Sequence, residues 1–227
     1  MTWNIHGART MLGPPDLARA ISHVRRHQPD IVALQEVDAR RCGDASAFET
    51  LAKSLGEYRA EARMIVAAEG DYGHVLLTRW PIARFVRHDI SEARREPRAA
   101  LEAIIDTPAG ALRVIAVHLG LSLRERHRQA RKLLELALAD PGPLVMLGDF
   151  NDWFFHGSVQ RALRDVFPGR SRFKTFPAVC PLFRLDRVYV RPTRMLRTMW
   201  VDRGARHASD HLPVIAELNP EVLGPGG

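Results

Sequence analysis

Twice in this chain a helix-patterned segment leads into a short, unbroken apolar run that ends on a carboxylate. The first is Ile31-Val32-Ala33-Leu34, followed by Gln35 and Glu36; the second is Leu144-Val145-Met146-Leu147, followed by Gly148 and Asp149. A run with no polar alternation marks a strand covered on both faces, so the fold must place helices or a second sheet on each side of it. The helices ahead of these runs are legible too. Asp16 to Gln28 carries Leu17, Ala20, Ile21 and Val24 at helical spacing behind Pro14 and Pro15. Ser122-Leu123-Arg124-Glu125 is a capping box, opening a helix with Ala130, Leu133, Leu134, Ala137 and Leu138 on one face to about Asp140. A repeated helix-then-buried-strand pattern belongs to an α/β fold, where ligands gather beyond the carboxyl ends of strands. Glu36 and Asp149 are therefore expected to face one cleft.

The remaining pattern adds a helix at Phe48 to Leu55 and another at Ser158 to Leu163. Strands are expected at 75–78, 82–86, 100–105, 112–117, 185–190 and 212–218, several of them rich in β-branched residues and separated by Pro or Gly turns. No linker, low-complexity block or short repeat divides the sequence. Residues 1–219 read as a single domain and 220–227 as a disordered tail.

Bulk properties narrow the class. A chain of 227 residues is long enough to bury one large core. No run approaches the roughly 18 apolar residues of a membrane span, and the first residues lack a secretory pattern. Cys42 and Cys180 are far apart and form no CxxC, which argues against a disulfide framework or a zinc cluster. The expected location is the cytoplasm, with peripheral contact to the inner membrane as one option; no protein partner is evident. The net charge of +7 invites an anionic partner: nucleic acid, a phospholipid surface or a phosphorylated small molecule. All basic residues but Lys53, Lys132 and Lys174 are arginines, a bias that a GC-rich genome would also produce. Charge alone selects no partner.

Four polar clusters sit at ends of these elements: Trp3-Asn4-Ile5-His6-Gly7, Leu34-Gln35-Glu36-Val37-Asp38, Leu147-Gly148-Asp149-Phe150-Asn151 and Ser209-Asp210-His211. Asn4, Glu36, His118, Asp149 with Asn151, Asp186, and Asp210 with His211 occur in the order and local contexts of the endonuclease/exonuclease/phosphatase superfamily. The chain resembles that group from Trp3 to Val214. Any one piece is weak, whereas six in order are specific. The resemblance implies a four-layer α/β sandwich, with two packed mixed β-sheets flanked by helices. It also implies a divalent-metal-dependent hydrolase of phosphoester bonds, with water attacking phosphorus.

The residue roles follow as expectations of that resemblance. Glu36 is a hard oxygen ligand suited to Mg²⁺ or Mn²⁺, and Asp210 helps hold the metal or its waters. Asp186 fixes one nitrogen of His211 and leaves the other free for water or phosphate. Asp149 and Asn151 orient the attacking water and bind a phosphoryl oxygen; whether Asp149 or His211 takes the proton stays open. His118 donates to a phosphate oxygen or the leaving group. Asn4 braces the site or touches phosphate. His74 stands where the family often has Asn and is expected to donate to phosphate.

Departures from the pattern matter as well. Only three residues precede Asn4, room for about 10 Å of strand, so either the first strand is short or the sequence starts inside a longer chain. His207 and His211 are four apart, but Ala208-Ser209-Asp210 and Pro213 favour a loop over a helical zinc pair. Trp153, Phe154 and Phe155 suit a pocket wall, a wedge into DNA, a bilayer contact or simple core packing. Glu36-Val37-Asp38, Pro97 to Leu101 and Thr175-Phe176-Pro177 are closer to a bacterial branch of small hydrolases, some encoded beside phospholipid-synthesis genes, than to abasic-site enzymes. The expected substrate is a phospholipid headgroup or another small phosphodiester or phosphate ester. A DNA or RNA endo- or exonuclease is the enzyme alternative, and a non-catalytic arginine-rich binding module is the alternative outside catalysis.

Overall fold

The two apolar runs lie in different sheets. A computed structural model describes residues 1–9, 14–153 and 157–224. In it β2 (Ile31–Asp38) and β8 (Leu144–Asp149) each follow a helix and pair in parallel with the strand before that helix. The first unit is β1 (Thr2–Asn4), α1 (Leu17–His27) and β2; the second is β7 (Gly110–His118), α4 (Leu123–Leu138) and β8. Parallel neighbours require such a crossover. The other named strands are β3 (Tyr58–Ile65), β4 (Tyr72–Thr78), β5 (Ile82–Asp89), β6 (Ala99–Thr107), β9 (Gly169–Arg170), β10 (Asp186–Arg191), β11 (Leu196–Val201) and β12 (Val214–Leu218). One six-stranded sheet runs β11-β12-β1-β2-β4-β3, and the other runs β5-β6-β7-β8-β10-β9. Both sheets are mixed.

Strand periodicity sorts the core into layers. Ala33, Leu76, Val114, Ala116, Val145, Leu147 and Val188 fill the space between the sheets. Their alternate neighbours Val32, Leu34, Val75 and Leu77 face outward onto α1 and α3 (Ala47–Leu55) through Ala20, Ile21, Phe48 and Leu51. On the opposite side Ile115, Val117, Leu144, Met146 and Tyr189 meet Ala130, Leu133 and Ala137 of α4 and Val159 and Leu163 of α5 (Ser158–Leu163). Burial on both faces explains the unbroken apolar runs, and the result is the four-layer sandwich expected.

Caps fix where the crossover helices begin. The Asp16 carboxylate accepts from the Arg19 amide at 2.8 Å, and the Ser122/Glu125 capping box is present at α4. Among the described residues no helix is long and apolar enough to cross a membrane.

Within the segment read as a tail, Pro220–Leu223 form a 3₁₀ turn, with the Asn219 side chain accepting from Glu221 N at 3.3 Å and Val222 packed between the sheets. A single buried apolar side chain anchors that segment; residues 225–227 lie outside the described part. Strands β3, β9 and β11, moreover, went unread. In β3 the fully buried inward residues are Ala60 and Ala62, with Met64 half-buried beside them, while Arg59 and Arg63 face out into ion pairs with Glu61 of the same strand and with Glu49, Arg63 also with Asp71. Alanine and paired charges give little β signal.

Candidate active site

All the strand ends that carry the expected residues lie at one end of the sandwich. Asn4, Glu36, His118 and Asp149 close or nearly close β1, β2, β7 and β8. Asp186 opens β10, antiparallel to β8 and directly opposite Asp149. Asp210 and His211 precede β12, which is antiparallel to β1. The C-terminal loop is pinned there by Trp3 Nε1 donating to His211 O at 2.9 Å and Ser209 Oγ donating to Asn4 O at 2.7 Å.

Backbone strain aims two of the groups. Glu36 has φ 52° and sits at a break in the β2–β4 register between Leu34 and Val37. A left-handed non-glycine residue at a bulge is costly, and here it turns the carboxylate off the pleat into the cleft. Asn151 has φ 48°, a conformation asparagine tolerates better. Its backbone N–H donates to Asp149 Oδ1 and its side chain to Leu119 O, both at 2.9 Å.

The centre is tied by one amide. Asn4 Nδ2 donates to Glu36 Oε1 and to Asp149 Oδ2, each at 2.9 Å, and so fixes the spacing of the carboxylates from the two sheets. His118 Nε2 stands 3.7 Å from Glu36 Oε1 and 3.8 Å from Asp149 Oδ2. His211 Nδ1 lies 2.8 Å from Asp186 Oδ2, while its Nε2 stands 3.9 Å from Asp149 Oδ2. That separation is too long for a hydrogen bond.

These contacts set the charge states. Burial alone would depress His211, but the Asp186 and Asp149 carboxylates overcome it and push the imidazole up to about 10. Asp149 is pushed up to about 6 by burial, partly offset by His211. Burial also opposes ionisation of Glu36, yet His6, His118 and Asn4 hold its carboxyl well below the usual range. His118 is held well below its ordinary value by burial and then by Arg98.

His6 was missed as an individual, although it lies in the first polar cluster. Its Nδ1 is 3.3 Å from Glu36 Oε2 and 3.8 Å from Asp210 Oδ2. Its pKa is raised, chiefly by the Glu36 hydrogen bond. Arg98 was missed as well: it is buried and donates through Nη1 to His118 Nδ1 at 2.9 Å.

His74 lies off the cleft wall. Its strand register places it opposite Ala62, and the ring is buried, does not line the cleft, and has an Nε2 without a hydrogen-bond partner among the described residues. Burial, then Arg98, lowers it to about 3. Phe154 and Phe155 lie outside the described residues. Trp153 is a cleft wall, edge-on to Phe176 and Phe183 at 5.3 and 5.0 Å.

The cleft holds about 390 Å³. Arg40, Arg41 and Tyr72 reach it from the first sheet's end, and Leu121, Trp153 and Phe176 from the second sheet's loops. A larger cavity of about 490 Å³, lined mainly by apolar side chains such as Leu112, Val145 and Ile215, opens elsewhere and includes none of these groups.

The donor set suits a hard divalent cation. Glu36 and Asp210 both bring a carboxylate oxygen within 4 Å of one atom, His6 Nδ1, and both are partly open to the cleft. Oxygen donors of this kind favour Mg²⁺ or Mn²⁺. A second candidate group is Asp149, Asp186 and His211, whose ligand atoms lie within 4.8 Å of one another. Asp186 is fully buried, its Oδ1 has no hydrogen-bond partner among the described residues, and it does not line the cleft. Its other oxygen already holds the His211 ring, so this group holds a proton more readily than a metal.

Comparison with known proteins gives a consistent result. Residues 1–211 match the description "Endonuclease/Exonuclease/phosphatase family". YbhP of Escherichia coli (strain K12), itself uncharacterised, is 36% identical over 96% of this chain and 95% of its own length. Two solved structures share the fold at low identity. One is the mannosyl-6-phosphatase Bt3783 of Bacteroides thetaiotaomicron VPI-5482, with TM-score 0.71, 17% identity, and coverage of 96% of this chain and 98% of that one. The other is D. rerio TDP2 complexed with a single-strand DNA product, with TM-score 0.72, 19% identity, and coverage of 96% and 97%.

Proposed function

The chain belongs to the endonuclease/exonuclease/phosphatase family, and on that premise we propose that it is a divalent-metal-dependent hydrolase of phosphoester bonds. One observation carries the reading: strand ends from two sheets bring Glu36, Asp149, Asp210 and His211 around a single opening, with Asn4 bonded to both Glu36 and Asp149. Glu36 and Asp210 would hold the metal. When bound, a Mg²⁺ or Mn²⁺ ion there would offset charge building on the phosphoryl oxygens.

The chain's own groups divide the remaining work. Although burial opposes it, the Asp186 and Asp149 carboxylates favour the protonated form of His211, and its Nε2 is assigned as a donor toward a phosphoryl oxygen. Asp149, ionised above about pH 6, takes the proton of the attacking water at Oδ2. At 3.9 Å these two atoms are not bonded to each other, so an oxygen to one side of the pair can reach both. Asn151 holds the Asp149 carboxylate through its backbone N–H, and His118 adds a further donor. Such fixed dipoles in a buried site supply a large share of transition-state stabilisation.

For substrate, the phospholipid headgroup or another small phosphodiester remains the first reading. Leu121, Val179 and Leu182 are exposed on the two loops that also carry the cleft walls Leu121 and Phe176, and Leu123 is exposed at the start of α4. An apolar rim beside a phosphate-sized cleft suits an amphiphile. The nuclease reading rests on Arg40 and Arg41 at the same opening, which suit a polyanion. Assay of anionic phospholipid vesicles against plasmid DNA, each with Mg²⁺, decides between them. Headgroup release from vesicles supports the first reading; DNA cleavage falling steeply with salt replaces it with the second.

A further inference from the structure

We infer that Arg98 is a positioning residue that sets the tautomer of His118, so that this ring presents an Nε2–H bond to the cleft. The inference rests on the proposed hydrolase reading for its catalytic meaning but not for its structural content. A guanidinium has five N–H donors and no acceptor. Arg98 Nη1 lies 2.9 Å from His118 Nδ1, so Nδ1 must supply a lone pair and the ring hydrogen must sit on Nε2. Both side chains are almost fully excluded from solvent, so water does not compete for that bond.

The surroundings hold this arrangement in place. Arg98 precedes β6, where its N–H donates to Ser91 Oγ at 3.0 Å and its carbonyl accepts from Ile90 N at 3.0 Å. The same Nη1 pairs with Glu96 Oε1 at 3.0 Å. His118 closes the neighbouring strand β7, two residues along from Ala116, which pairs with Leu101 of β6. Sheet pairing thus brings guanidinium and imidazole to adjacent strand ends.

The consequence concerns direction. Nε2 faces Glu36 Oε1 and Asp149 Oδ2 at 3.7 and 3.8 Å. As an N–H it offers a hydrogen bond to a carboxylate or an incoming phosphoryl oxygen. As a lone pair it would repel all three. A carboxylate at position 98 would reverse the arrangement by accepting from Nδ1–H.

Long-range ¹H–¹⁵N spectra of the histidine rings test this directly, with His118 identified by its loss in His118→Gln. Wild type should show the hydrogen on Nε2, Arg98→Lys should keep it there, and Arg98→Glu should move it to Nδ1. Phosphodiester turnover should fall about 10- to 100-fold in Arg98→Met through kcat, with partial rescue in Arg98→Lys. Hydrogen on Nδ1 in the wild-type spectrum overturns the inference, even if the variants fail to fold. So does an unchanged tautomer in folded Arg98→Glu. The spectra read out without turnover, so failure of the hydrolase reading is distinguishable.

Discussion

Asp186 is the residue with the most to say about chemistry, because it is fully buried and its Oδ2 bonds His211. Asp186→Asn keeps the shape and removes the charge. We predict a fall in kcat of about 10²- to 10⁴-fold, as the ring loses the anion that orients it. Linkage gives the sign of the stability effect. A histidine raised from 6.5 to about 10 adds stability that is fully present below 6.5 and fades as pH rises through 10. The stability advantage of wild type over Asp186→Asn, measured by denaturant titration, should therefore shrink as pH rises across that window. An advantage constant with pH contradicts the assignment. At this scale the sequence was informative where a residue's role follows from its neighbours in the chain, as for Glu36, Asp149 and His211. It was silent where the role comes from another strand: His6 meets Glu36 and Asp210, and Arg98 meets His118, only after the sheets form. For His74 the β4 pleat, not the local spelling, decides which way the ring points.

Among elements, β2 and β8 were legible because burial on both faces leaves an unbroken apolar signature, and α1 and α4 because their caps are spelled out. β3 was not, since it lies at a sheet edge with alanine, arginine and glutamate in most of its pairing positions; β11, at the opposite edge, is short and broken in register at Arg197. The bulge that turns Glu36 inward left no sequence signal either. Gly148 did leave one, in its position just before Asp149. It has φ +148°, and a Cβ there would lie 1.9 Å from Val117 O, so the parallel β7–β8 pair cannot close around a side chain. Gly148→Ala should cost about 2 kcal/mol or more in chemical denaturation and displace Asp149 from Asn4, lowering activity as well. Unchanged stability would mean the strand pair relaxes freely and does not fix the carboxylate.

For the whole molecule, the two crossover units play matching parts: each delivers a polar group on one strand end and a carboxylate on the next. The cleft exists only because the sheets pack with these ends together, and that convergence gathers more carboxylates than the neighbouring cations offset. Mg²⁺ or Mn²⁺ should accordingly raise the melting temperature of wild type by mass action, and Glu36→Gln should reduce that rise. An equal rise in the variant would place the ion elsewhere. The fold class was open to sequence reasoning because layering is written in burial patterns. The substrate was not, because it depends on loop walls such as Arg40, Leu121 and Phe176 that come together only in three dimensions. The most direct measurement is hydrolysis of bis-p-nitrophenyl phosphate by wild type and Glu36→Gln, after chelation and after titration with Mg²⁺ or Mn²⁺. The expected result is turnover abolished by chelation and restored by metal, with Glu36→Gln requiring a higher metal concentration. Turnover indifferent to chelation, or none with either metal, would contradict the convergent metal-dependent site.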